Sequence, residues 1–222
     1  MKKMVLLFMT LFCSFLFSCN NKQYYMALGS FSKDLITNID EKLNIQGNDY
    51  FVNENMQSGE LFKIADSNAS YFANGKQYPF FSIAEKAKLF IINIGLDDFL
   101  PSMEIDPSNN ILNYDMNLVK KQLEVYDYHL VHILDEIREI NNKAPIYVLS
   151  TYNNYLFEKP EQMLFNSLVN MINTAIKDSL NSYKDTHFIS LQIIEEKVYD
   201  NPQINQNALI AEIVGSYYDE RS

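Results

Sequence analysis

The chain has 222 residues, enough for one domain with a full core, and its 47% hydrophobic and 21% charged content excludes a disordered, collagen-like or coiled-coil protein. With 18 Lys and Arg against 28 Asp and Glu the net charge is -10, a field that repels phosphate backbones and anionic headgroups, so nucleic acid is not an expected partner. Asparagine pairs such as Asn109-Asn110, Asn141-Asn142 and Asn153-Asn154 are read as coding bias.

At the N-terminus, Lys2 and Lys3 precede an apolar run from Met4 to Phe17 that ends at Ser18-Cys19. The run is about 14 residues, short of the roughly 20 that cross a bilayer, and its order of charge, apolar core and small residue is that of an export signal. Ser18 directly before Cys19 resembles the lipobox of bacterial lipoproteins, whose cysteine is acylated and becomes the new N-terminus. Phe17 departs from that pattern, and Cys13 is the poorer site because bulky Phe12 precedes it. Residues 1–18 are therefore expected to be a signal peptide and residues 19–23 a tether carrying palmitate on Cys19. Residues 24–222 are then a domain held on the extracytoplasmic face of a bacterial membrane. Such a mature chain has no thiol left for a disulfide, so its stability must come from the core.

Tyr24 to Leu28 reads as a strand closed by Gly29, and Ser32 to Leu43 as a helix. Tyr50 to Val52 reads as a second strand and Leu61 to Ala65 as part of a second helix. Lys88 to Ile94, a β-branched and aromatic run closed by Gly95, has the pattern of a strand buried on both faces. Asp97 to Asp115, with Pro101, Pro107 and Ser-Asn-Asn, reads as a surface loop. From Met116 to Ile140 apolar residues recur in steps of three and four, predicting a long amphipathic helix packed on a sheet. Ile146 to Leu149 and Phe188 to Leu191 supply two more strands, with helices over Glu161 to Leu180 and Asn207 to Tyr218. Strands alternating with helices imply right-handed crossovers and a five-stranded parallel sheet covered on both faces.

In such sheets ligands bind beyond the carboxyl ends of the strands. Three segments fall there: Ala27-Leu28-Gly29-Ser30-Phe31-Ser32, Gly95-Leu96-Asp97-Asp98, and Asp200-Asn201-Pro202-Gln203-Ile204-Asn205. In order and spacing they resemble the SGNH, or GDSL, hydrolase family, particularly its lipid-anchored lipase and acylhydrolase branch. Ala144 to Leu149 followed by Thr151-Tyr152-Asn153 resembles that branch too, so the likeness covers nearly all of residues 24–222. It implies a three-layer α/β/α, flavodoxin-like fold and an ester hydrolase ancestry: a serine nucleophile, an oxyanion hole and an Asp-x-x-His pair.

The matched positions have lost that chemistry. The family's nucleophile falls on Phe31, whose ring cannot attack a carbonyl. Ser30 and Ser32 flank it as fallback nucleophiles, although a hydroxyl in a strand-to-helix turn is more often a helix cap. The oxyanion asparagine falls on Asp97, an acceptor that repels the charge it should stabilise, and the family's glycine block is loosely matched by Asn53 to Gly59. Asp200 is kept, but the histidine position holds Gln203, which has no titratable nitrogen. His129 and His132 are spaced to share a metal, yet with no matching cluster in the sequence they read as exposed helix surface; His187 precedes the fifth strand. Asp97, Asp98 and Asp200 could meet over a calcium ion only if their side chains converged. Tyr71, Phe72, Tyr78, Phe80 and Phe81 read as core and loop packing rather than a stacking groove. The expectation is a catalytically inactive binding or interaction module, without metal or cofactor, that takes a small-molecule, glycan or protein ligand in the former substrate cleft. The alternative is a divergent esterase or acylhydrolase acting on ester-linked lipid or glycan substituents.

Overall fold

A computed structural model describes residues 23–66, 70–73 and 76–219; the export signal and Cys19 lie outside them. Five strands form a single parallel sheet: β1 (Tyr24–Ser30), β2 (Gln46–Asn53), β5 (Leu89–Asn93), β8 (Ile146–Leu149) and β9 (Thr186–Ile189), in the order β2-β1-β5-β8-β9. Between them lie α1 (Lys33–Leu43), α2 (Ser58–Asp66), α3 (Phe80–Ala84), α4 (Leu96–Phe99), α5 (Met116–Ile140), α6 (Glu161–Leu180), α7 (Gln192–Asp200) and α8 (Gln206–Asp219).

The near-continuous apolar strands are explained by two cores, one on each face. Alternate strand residues Met26, Leu28, Phe90, Ile92, Ile146 and Val148 face a core shared with α2, α5 and α6. Their neighbours Tyr25, Ala27, Leu89, Ile91, Tyr147 and Leu149 face a core shared with α1, α7 and α8. The period-two alternation of a strand thus fills both layers at once. On α5 the stripe Val119, Tyr126, Leu130, Ile133 and Ile137 is buried, as its spacing predicts, while Met116 at the first turn is exposed.

The stretch from Asp97 to Asp115 is not a plain loop. It contains α4 and an antiparallel hairpin of β6 (Met103–Asp106) and β7 (Ile111–Tyr114). The Pro107-Ser108-Asn109-Asn110 run is the hairpin's turn: the Asp106 side chain accepts from the Ser108 and Asn109 amides at 3.1 and 3.2 Å, and Asn110 takes a left-handed φ of 52°. Turn-forming residues here reverse a strand pair whose Met103, Ile105, Leu112 and Tyr114 pack on the main core. A second hairpin, β3 (Ser70–Ala73) with β4 (Lys76–Pro79), precedes α3. Phe80 is buried in the core and Phe81 is half exposed, whereas the side chains of Tyr71, Phe72 and Tyr78 are outside the description. His187 lies within β9 rather than ahead of it, and α7 occupies a stretch for which the sequence reading proposed no helix.

Asn141 closes α5. Its buried amide donates to the Ala84 and Ala87 carbonyls at 3.0 and 2.9 Å, and its carbonyl oxygen accepts from the Ala144 amide at 3.0 Å. One side chain thereby satisfies three backbone groups that would otherwise be stranded between α3, α5 and β8.

Candidate functional site

The carboxyl ends of β1, β5 and β8 open on a cleft of ≈ 230 Å³ whose lining includes Ser30, Asn93, Asp97, Thr151, Tyr152 and Asn154. Two glycines allow its walls to close up. Gly29 has φ +106°, and a Cβ there would run into the Asn93 carbonyl oxygen; Gly95 has φ +149°, and a Cβ there would strike the Thr151 hydroxyl. With β1 and β5 so close, the Asn93 amide donates to the Ser30 carbonyl at 2.5 Å. Asn173 clamps the loop after β8, accepting from the Thr151 amide at 2.9 Å and donating to its carbonyl at 2.8 Å.

Ser30 is one of the hydroxyls that line this cleft. Its Oγ accepts the Asn55 amide at 3.0 Å, and its own proton goes to the Asp97 carboxylate. Burial pushes the Asp97 carboxyl up from its ordinary range, partly offset by that Ser30 hydrogen bond. Phe31, next in sequence, points the other way: it is 3% exposed and packs in the core beneath α1 and α8. Ser32 caps α1, accepting from the Leu35 amide at 3.1 Å and from the Asn207 side chain at 3.4 Å, the role its turn position predicts.

Asp98 belongs to a different environment. It accepts the Ser58 amide at 3.0 Å and the Ser58 hydroxyl at 2.5 Å, and Ser58 Oγ also lies 2.9 Å from His129 Nδ1. Burial raises Asp98 to about 6 despite the hydrogen bonds from Ser58. Burial lowers the His129 pKa, with smaller contributions from His132 and Lys63. This carboxylate, hydroxyl and imidazole resemble a catalytic chain in composition only. Ser58 is 0% exposed, so no substrate reaches its oxygen, and the imidazole opens instead on a neighbouring hollow with Gln57 and Val125. Gly59 is part of that hollow, where its missing side chain makes room for the His129 ring.

The other matched positions lie elsewhere. Asp200 ends α7 and lines a separate groove with Leu156, Glu195 and Tyr199. Gln203 is exposed in the following turn, its backbone amide donating to Asn201 Oδ1 at 3.2 Å. Of the six positions matched to the family, Ser30 and Asp97 line the cleft; Phe31, Gly59, Asp200 and Gln203 do not. The expected convergence of Asp97, Asp200 and Gln203 is therefore not seen in its lining. Asp97, Asp98 and Asp200 have three different surroundings and do not form a shared calcium site. None of the three histidines lines the cleft.

Sequence reading missed Asn93, Ser150 and Asn154; Asn55 falls inside the Asn53 to Gly59 stretch matched to the glycine block, where Gly59 and not Asn55 was singled out. Asn93 carried a usable signal, a polar residue inside an apolar strand run two positions before Gly95. Asn55 reaches the cleft through the return from β2, and nothing within its stretch marked it out from its neighbours. Together these groups offer neutral amides and hydroxyls around one carboxylate, a lining suited to hydrogen-bonding an uncharged polar ligand and unfavourable to an anion.

No family model matches the chain, and no curated protein matches it in sequence. Solved structures do match in fold. A lipase from a goat rumen metagenome is 17% identical over 87% of this chain and 96% of its own, with a TM-score of 0.62. A carbohydrate esterase family 2 enzyme with a carbohydrate-binding domain, from Corynascus thermopiles (Myceliophthora fergusii), is 11% identical over 88% of this chain and 65% of its own, with a TM-score of 0.57. A Parabacteroides merdae protein described as a GDSL-like lipase is 11% identical over 86% of this chain and 93% of its own, with a TM-score of 0.54. The chain has an SGNH/GDSL hydrolase-like fold.

Proposed function

We propose that this domain is a non-catalytic binding module that holds an uncharged, hydroxyl-rich ligand, a carbohydrate in the first instance, in the cleft beyond β1, β5 and β8. The observation that carries the proposal is the cleft's own chemistry: a serine hydroxyl held between Asp97 and the Asn55 amide, ringed by neutral amides and hydroxyls, with no imidazole in its lining. Structural neighbours named as carbohydrate esterases support the ligand class without fixing it.

The competing reading, a divergent esterase or acylhydrolase, has one feature in its favour, the Ser30 hydroxyl donating to Asp97. A carboxylate is a weak base for a serine proton, and an ionised Asp97 beside the reacting carbon would oppose the negative charge of an acyl-transfer intermediate. Binding without turnover fits the lining better.

Xylobiose and N-acetylglucosamine are suitable first probes. At hundredfold excess over Kd a bound sugar should raise the Tm by roughly 5 °C, and Asn154→Ala, on the cleft's exposed lip, should remove the shift. No shift with either sugar, or an equal shift in the variant, counts against the proposal.

The same proposal places the module on the extracytoplasmic face of a bacterial membrane, tethered through an acylated Cys19 after loss of residues 1–18. Its support is the short apolar run ending in Ser18-Cys19. Metabolic labelling with a fatty-acid analogue should mark the full chain and not Cys19→Ala; label retained by the variant would remove the anchor from the proposal.

A further inference from the structure

His132 lies on α5 one turn before Glu136 and faces the Asp66 end of α2. Its Nε2 stands 3.5 Å from Asp66 Oδ1 and 3.9 Å from Glu136 Oε1, and one ligand atom from each of the three residues lies within 4.8 Å of the others. Nε2 is shielded from solvent and has no hydrogen-bond partner among the described residues. A protonated imidazole paired to a carboxylate closes to roughly 2.7–2.9 Å. Here two carboxylates stand back from the same nitrogen instead.

We propose that Asp66, His132 and Glu136 form a site for a divalent transition-metal ion of the Zn²⁺ type, apart from the cleft. A tetrahedral ion bound at about 2.0–2.1 Å holds its ligand atoms roughly 3.3 Å apart, so the observed spacing needs only small rotations of two carboxylate side chains. Those side chains are free to make them, being 57% exposed for Asp66 and 31% for Glu136. The histidine is already fixed: the Phe62 ring of α2 packs on the His132 ring with centroids 4.5 Å apart. One imidazole and two carboxylates suit zinc and its neighbours in the transition series, whereas calcium prefers six or more oxygens. Solvent on the carboxylate side supplies the fourth ligand.

His129, the partner suggested by spacing along the helix, is not part of this site, because its Nδ1 faces Ser58. The second ligand comes from a different helix. A bound ion would therefore clip the Asp66 end of α2 to the C-terminal half of α5.

The test is Zn²⁺ titration of the full chain by calorimetry, with thermal unfolding alongside. One ion per chain is expected, with a Tm that rises on Zn²⁺ addition and does not respond to Ca²⁺ at the same concentration. His132→Gln should weaken Zn²⁺ at least tenfold. Asp66→Asn, at a mostly exposed side chain where folding is not at stake, should do the same. Absence of Zn²⁺ binding at about 100 μM, or equal affinity in both variants and the parent, would overturn the assignment.

Discussion

Phe31→Ser is expected to destabilise the domain by about 3–5 kcal/mol, the usual cost of deleting a buried phenylalanine ring. The ring is 3% exposed and shares its core with Leu35, Ile39, Ile210 and Val214, so removing it opens a cavity between the sheet, α1 and α8. The new hydroxyl would enter an apolar layer, adding a desolvation cost. Ser30→Ala, one residue earlier, should shift stability by about 1 kcal/mol, because its hydroxyl makes two hydrogen bonds at a half-buried position. Urea unfolding of the two variants measures both effects. A Phe31→Ser protein as stable as its parent would mean that the ring contributes nothing to the core. The functional consequence is that a serine placed at position 31 would not face the cleft, since that side chain belongs to the packing beneath the sheet.

The parts of the fold set by repeating chemistry were readable in the sequence. The Met116 to Ile140 helix announces itself through spacing, and β5 through a β-branched run closed by Gly95, because burial on a helix face or inside a parallel sheet dictates those patterns. The β6 and β7 hairpin was hidden by its turn: prolines and asparagines that reverse a chain look the same whether or not the flanking four residues pair. Asn141 looked like one member of an asparagine pair and proved to be the buried closure of α5, a role that depends on carbonyls 54 and 57 positions away.

The site divides in the same way. Strand ends located Ser30 and Asp97, and the helix-cap role of Ser32 followed from its turn. Which way Phe31 points depends on the half-turn between β1 and α1, and the motif spacing does not encode it. The positions of Asp200 and Gln203 depended on whether a helix precedes them; α7 does, and it carries Asp200 to another groove. The Asp66, His132 and Glu136 cluster was equally hidden, since one of its members arrives by tertiary packing rather than helical spacing.

Hydrolytic silence is the second large effect expected. A positioned general base contributes on the order of 10²–10⁴-fold to acyl transfer and an oxyanion donor on the order of 10²–10³-fold. The cleft has no imidazole in its lining, and a carboxylate at Asp97 where the family has a neutral amide. Such losses do not simply add, but together with a nucleophile position filled by Phe31 they are expected to bring turnover toward the uncatalysed rate. Ser30 keeps its hydroxyl, yet it donates a hydrogen bond only to Asp97, a weak base for a serine proton, while its oxygen accepts the Asn55 amide. Release of p-nitrophenolate from p-nitrophenyl acetate and butyrate, measured for the purified chain beside Ser30→Ala and Ser32→Ala, therefore decides whether the cleft binds without catalysing. The expected result is the buffer rate for all three proteins; turnover by the parent chain that Ser30→Ala abolishes would make the domain an esterase.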